Sequence, residues 1–197
     1  MFKLLLSFVV LGLVFASCSK DDDSEPQLGA FSESLFGNEY SLSKGFIENN
    51  GCDDDSVFHY DLTLISSSMG ISYDFSHAYL TGIGNMVHFE IYAKDSAQIT
   101  EGTYTCDLEE TGAANTFNLS QAYVDFNATP DTSSQTYTFF DGTLQISRNG
   151  DNYVLSLTAD ALYTPSDSTI SIEDLTELNA AEIKANYSGQ LNFYDYR

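Results

Sequence analysis

Apolar and polar residues alternate at a period of two along most of this chain, and turn residues break that alternation at short intervals. Between Val57 and Ile65, Phe58, Tyr60, Leu62 and Leu64 fall on one side, and His59, Asp61 and Thr63 on the other. Successive side chains of a strand point to opposite faces, so the pattern predicts a strand with one buried and one wetted face. The same reasoning predicts strands over Leu35–Ser43, ending near Gly45, and over Ile71–Leu80. It predicts another over Asn85–Ala93, where Val87, Phe89 and Ile91 oppose His88 and Glu90, and two more over Gly102–Leu108 and Thr116–Phe126. Asn49-Asn50-Gly51 reads as a loop. Gln135–Arg148 is long enough that Asp141-Gly142 marks a bulge or turn within it. Asn149-Gly150 is the strongest hairpin signal, joining Leu144 and Ile146 to Tyr153, Leu155 and Leu157. A closing strand carries Ala185, Tyr187, Gly189, Leu191 and Phe193 on its inner side. Ser171 and Asp174 form a loose capping box, and Ile172, Leu175 and Leu178 share a side, predicting one short helix near 171–180. The expected architecture is all-β: an antiparallel sandwich of roughly nine strands, with a closed barrel as the alternative.

The first seventeen residues break this pattern. Lys3 precedes an apolar run, Leu4 to Phe15, interrupted only by Ser7 and Gly12. As a helix it would span about 18 Å, against ~30 Å for a bilayer's hydrocarbon core, which suits an export signal better than a permanent span. Phe15-Ala16-Ser17-Cys18 resembles the bacterial lipobox, with Phe where Leu is usual. The resemblance implies that Cys18 becomes the acylated first residue of the mature protein. Ser19-Lys20-Asp21-Asp22-Asp23 resembles the acidic export tag of Bacteroidetes surface lipoproteins, and the later Gly-Thr strand openings, Asn-Gly hairpin and Tyr187-Ser188-Gly189-Gln190-Leu191 resemble small lipoproteins of that group. The implied location is the outer membrane, lipid-anchored and exposed at the cell surface. The expected domains are a signal peptide at 1–17, an acylated cysteine with a flexible acidic tether at 18–34, and one all-β domain at 35–197.

Charge narrows the partners. Twenty-nine Asp and Glu stand against seven Lys and Arg, a net charge of −22. Losing residues 1–17 removes Lys3 and no acid, leaving −23. Nucleic-acid binding requires clustered Lys and Arg to neutralise phosphates, and the basic residues here are scattered, so no nucleic-acid partner is expected. Anionic lipid would also be repelled, which leaves any membrane attachment to the acyl chains. With Cys18 acylated, Cys52 and Cys106 remain as an even pair in an oxidising compartment, and a disulfide between them is expected.

Candidate chemistry is sparse. The chain has no Gly-x-Ser-x-Gly, His-Glu-x-x-His or Cys-x-x-Cys. His59 and His88 lie opposite apolar faces and are expected to point to water, while His77 sits with Tyr73, Phe75 and Tyr79. Asp125, Asn127, Thr129 and Asp131 place oxygens at alternate positions, as at the front of a calcium loop, but Pro130 replaces the usual Gly and Thr136 the closing acid. Asn49-Asn50-Gly51 with Asp53-Asp54-Asp55 forms a second dense anionic loop. No cofactor other than calcium is suggested. Asp55-Ser56-Val57, Asp95-Ser96-Ala97 and Asp167-Ser168-Thr169 resemble the Bacteroidetes O-glycosylation acceptor.

With no catalytic residues singled out, the leading expectation is a non-enzymatic surface module that binds a glycan, a protein partner or a nutrient. A structural or assembly component of the envelope or a pilus is the alternative, and a carboxylate-based hydrolase stands third. Three observations separate them: a shallow aromatic strip marks a glycan binder, a long unpaired strand edge an assembly component, and a deep pocket holding two carboxylates and aromatic rings an enzyme.

Overall fold

The computed structural model describes residues 28–54, 56–73, 78–95, 97–166 and 179–196. Among the described residues twelve strands follow one another: β1 (Gly29–Glu33), β2 (Glu39–Leu42), β3 (Lys44–Asp54), β4 (Val57–Ile65), β5 (Met69–Tyr73), β6 (Ala78–Ala93), β7 (Gly102–Cys106), β8 (Thr116–Asn127), β9 (Gln135–Asn149), β10 (Asn152–Pro165), β11 (Ala180–Gly189) and β12 (Asn192–Asp195). Eleven lie in the order β12-β3-β4-β6-β8-β7-β9-β10-β11-β1-β2, and β5 pairs only with the first part of β6. Most pairs are antiparallel, but β12 runs parallel to β3 and β7 parallel to β8, so the sheet is mixed.

Chain connectivity forces this sheet to curl. Ser43 alone links β2, at one edge of the order, to β3, next to the other edge. Gln190 and Leu191 likewise link β11 to β12. In a flat sheet at about 4.8 Å per strand, β2 and β3 would lie roughly 43 Å apart, and one residue spans at most about 3.6 Å. The sheet therefore rolls into a half-barrel whose two edges are joined covalently. Backbone bonds extend the pairing on both sides of the link: Leu28 N–H donates to Leu42 O at 3.0 Å and Ser188 N–H to Leu28 O at 2.8 Å beside β1, and Ser43 N–H to Ile65 O at 2.8 Å beside β4.

The concave side holds the core. Phe31, Leu42, Ile47, Leu62, Phe89, Phe117, Phe139, Leu155 and Ile183 meet there, drawn from strands all around the order. Tyr60, Tyr104, Tyr137 and Tyr187 are also fully buried, and each hydroxyl donates to an oxygen: Asp95 O at 2.5 Å, Thr100 O at 2.7 Å, Gln135 Oε1 at 3.0 Å and Gln190 O at 3.0 Å. Tyrosine can fill a core and still satisfy its polar end in this way.

The all-β class is as expected, and the layer arrangement differs: one curled mixed sheet stands where a two-sheet antiparallel sandwich of roughly nine strands was expected. The segment read as the end of the tether contains β1, whose Phe31 is completely buried and stacked on Tyr40 at 4.8 Å. Leu35–Ser43 is a turn followed by β2 rather than one strand. Glu33 makes that turn possible, its buried carboxylate accepting the N–H groups of Phe36 at 2.7 Å and Asn38 at 2.9 Å. Asn49-Asn50-Gly51, read as a loop, lies inside β3. Ile71–Leu80 is divided between β5 and β6. Of the expected helix near 171–180, residues 171–178 lie outside those described, and Ala180 belongs to β11. Cys18 and residues 1–27 are also outside. Among the described residues no helix is long and apolar enough to cross a membrane.

Cys52 and Cys106 carry free thiols. They sit on β3 and β7, which β4, β6 and β8 separate in the sheet, whereas a disulfide needs Cα atoms within about 7 Å. Burial, followed by Asp141 and Asp107, pushes the Cys106 thiol up to about 11 from 9.0. Only the thiolate is nucleophilic, so at neutral pH Cys106 presents roughly a hundredfold less of it than an ordinary cysteine. Iodoacetamide labelling of a chain carrying Cys18→Ser and Cys52→Ser, with Cys106 its one remaining thiol, should accordingly be slow at pH 7.5 and accelerate steadily to pH 10. Rapid labelling at pH 7.5, or non-reducing mass spectra of the unaltered chain two hydrogens light, would contradict this picture.

Candidate functional site

The convex side of β3, β4, β6 and β8 carries the polar half of each alternation. The first part of β6 leaves this surface near Gly82, whose φ is +85° and whose missing Cβ would lie 2.9 Å from Ser68 O. Paired with β5, it forms a flap that folds back over the sheet. Ile65, Met69, Met86 and Phe126 make a small second core beneath the flap, distinct from the main one. Tyr73 of the flap lies 4.4 Å from the Tyr194 ring, their hydroxyls in contact. The Ala78 N–H donates to Tyr196 Oη at 2.6 Å and reaches Glu48 Oε1 at 3.4 Å.

Between flap and sheet is a cavity of about 440 Å³. Phe46, Glu48, Thr63, Met86, His88 and Tyr123 of the convex face line it, with Ala78, Tyr79 and Leu80 from the flap, and Phe126, Ala128 and Asp131 from the end of β8 and the turn after it. Aromatic and aliphatic carbon thus faces an imidazole, a hydroxyl and two carboxylates, and the volume falls within the range of small-molecule pockets. His88 Nδ1 lies 3.0 Å from Thr63 Oγ1, its partner across the strands. Burial holds the His88 pKa below its ordinary value, outweighing the opposing pull of Asp61, so the ring favours its neutral form.

Beside the cavity, strand pairing assembles a second group. His59 faces Tyr92 and Asp61 faces Glu90 across β4 and β6, while Glu48 faces Asp61 across β3 and β4. His59 Nε2 lies 3.4 Å from Asp61 Oδ1 and 3.6 Å from Glu90 Oε2. The His59 ring stacks on Tyr92 with centroids 5.0 Å apart and planes 4° from parallel. Burial pushes the Asp61 carboxyl up, but hydrogen bonding with His59 and Asn50 and the nearby imidazoles more than reverse this, and its pKa ends lowered. Glu90 is raised, first by burial and then by Asp61, with His59 opposing. Two facing carboxylates with opposite shifts are the electrostatic signature of a crowded anionic pair.

The sequence placed His59 and His88 on the outward face, where they are, but half-buried among partners. Their convergence with Asp61, Glu90 and Glu48 depends on which strands become neighbours, and alternation within one strand carries no signal for that. His77 lies outside the described residues. In the calcium-like segment, Asn127 Oδ1 accepts the Thr129 N–H at 3.1 Å and Asp125 Oδ2 accepts from Ser134 Oγ at 3.2 Å, so both side chains brace their own turn. Thr129 is exposed, and Asp131 joins the cavity wall. The fold and site together define an all-β half-barrel with an open cleft between flap and sheet on its convex face. Comparison with protein-family models, curated proteins and solved structures finds no match for this chain.

Proposed function

We propose that this chain is a lipid-anchored cell-surface binding module that takes a small, uncharged polar ligand, a sugar residue by preference, into the cavity under the β5–β6 flap. The observation that carries this reading is the lining: the aromatic residues Phe46, Tyr79 and Tyr123 beside Glu48, Thr63, His88 and Asp131. Sugar rings offer C–H faces to aromatic side chains and hydroxyl donors to carboxylates. A net charge of −22 disfavours anionic ligands. The lipobox-like Phe15-Ala16-Ser17-Cys18 supports the anchor, which [³H]palmitate labelling tests directly: label that persists in Cys18→Ala, or never enters the parent chain, removes it.

The cavity is tested with a panel of neutral oligosaccharides against the chain lacking residues 1–17. Tyr79→Ala and Glu48→Gln should each weaken the best binder at least tenfold, with melting temperature held. Unchanged affinity in both would remove the cavity from the account. Glu48 and Asp131 together also favour a second reading, a hydrolase, since a pair of carboxylates flanks the bond in glycoside hydrolysis. Release of chromophore from aryl glycosides, abolished by Asp131→Asn, would select that reading. An assembly role finds less support: the two edges of the eleven-strand order, β2 and β12, are four residues each, and short edges template strand addition poorly.

A further inference from the structure

We propose that His59, Asp61 and Glu90 hold one divalent first-row transition ion, zinc by preference, on the convex face beside the cavity. Donor spacing is the first argument. Zinc binds imidazole nitrogen and carboxylate oxygen at about 2.0–2.2 Å, so tetrahedral ligands stand roughly 3.4 Å from one another. His59 Nε2 is 3.4 Å from Asp61 Oδ1 and 3.6 Å from Glu90 Oε2, and all three donor atoms lie within 4.8 Å of one another. Small side-chain rotations would bring them onto a common ion.

Charge is the second argument. Glu48, Asp61 and Glu90 stand in one row across three adjacent strands, and like charges facing each other across strands repel. For the facing pair Asp61 and Glu90, one imidazolium offsets one charge, whereas a divalent ion offsets both. Asp61 Oδ1 is buried and faces His59 Nε2 at 3.4 Å, so the two donor atoms are turned toward one another.

The surroundings supply the third. Asn50 Nδ2 donates to the other oxygen, Asp61 Oδ2, at 2.9 Å, and stacking on Tyr92 sets the plane of the His59 ring. Partners of this kind orient ligands in established metal sites. One nitrogen with two carboxylates suits zinc, and calcium prefers six to eight oxygens. Three protein ligands leave a fourth position open to water or to a ligand's oxygen. The inference stands whatever the cavity binds.

The experiment uses the chain without residues 1–17, carrying Cys18→Ser, Cys52→Ser and Cys106→Ser so that thiols cannot compete. Zinc titration by calorimetry should show one site, weakened at least tenfold by His59→Ala and by Asp61→Asn, with calcium giving no comparable heat. Cobalt(II) should produce a visible d–d band that zinc displaces. Zinc affinity unchanged in both variants, or no zinc heat in the parent, would leave only an ion-paired cluster and overturn the proposal. Should the variants fail to fold, the parent's cobalt spectrum decides: no d–d band refutes the site, and a four-coordinate band displaced by zinc upholds it.

Discussion

Replacing Phe89 with alanine should cost about 3–5 kcal/mol of stability, the range for emptying a large aromatic site in a closed core. Phe89 is 1% exposed, and its ring meets Phe117 edge-on at 5.9 Å and Phe139 at 6.0 Å. Those three rings come from β6, β8 and β9, so the void would open where three strands depend on a common contact. Against a typical total of about 5–15 kcal/mol, the loss is a large fraction of what holds the chain folded. Thermal denaturation should show the midpoint falling by on the order of 10 °C, while urea unfolding keeps its slope. Leu108→Ala, at a position 64% exposed, is the control and should stay within about 0.5 kcal/mol. Equal effects at the two positions would show that the concave side is not the core.

Gly142→Val should be about as damaging, for a different reason. Gly142 sits where β9 carries an irregularity opposite β10: Asp141 pairs with Asp160, but Phe139 pairs with Ala161. Its φ is +146°, and a Cβ there would stand 2.6 Å from Ala159 Cα and 2.7 Å from Thr158 O. Both obstacles belong to the neighbouring strand or lie at its backbone, so no rotamer change relieves them. Backbone strain and overpacking together should cost about 3 kcal/mol or more. Gly150→Ala separates the two contributions. Gly150 also has positive φ, at +63°, but nothing lies within 4 Å of its missing Cβ, so only the conformational penalty of about 1–2 kcal/mol applies. Chemical denaturation of the two variants should differ by the steric remainder, about 1 kcal/mol or more, and equal costs would show that the close approach of β10 is not what demands glycine.

Much of the strand content was legible because burial follows alternation. Val57–Ile65 is recovered at both ends with Tyr60, Leu62 and Leu64 facing inward as read, but its outer face is not wetted throughout, since Thr63 and Ile65 are buried there too. The Asn149-Gly150 hairpin and the inward Ala185, Tyr187 and Gly189 are equally direct. Legibility failed where polar or small residues form strands. β3 spells Glu48-Asn49-Asn50-Gly51, which reads as a turn, yet pairing with β4 on one side and β12 on the other overrides local preference. β1 begins Gly29-Ala30, too small to announce a buried strand, and Phe31 alone marks it. Bulges also defeat a constant period. In β8, Phe117 and Ala122 are both buried, at odd and even positions, because the pairing with β6 slips between His88 and Glu90. The candidate site was half visible: its residues stood out as the polar side of each strand, but their meeting is a property of strand order.

The join between the two edges sets the order in which the polypeptide can acquire its structure. Gly29 pairs with Tyr187 and Glu33 with Ile183, so the earliest strand waits for one of the last. A chain delivered amino end first can complete the hairpins of β3 with β4 and of β9 with β10 as they emerge, since those contacts are local. Closure must await delivery of the final segment, and such distant partners make for slow, late maturation. Until then the inner face of Phe31 and Leu42 stays without its cover, and β11 acts as the clasp.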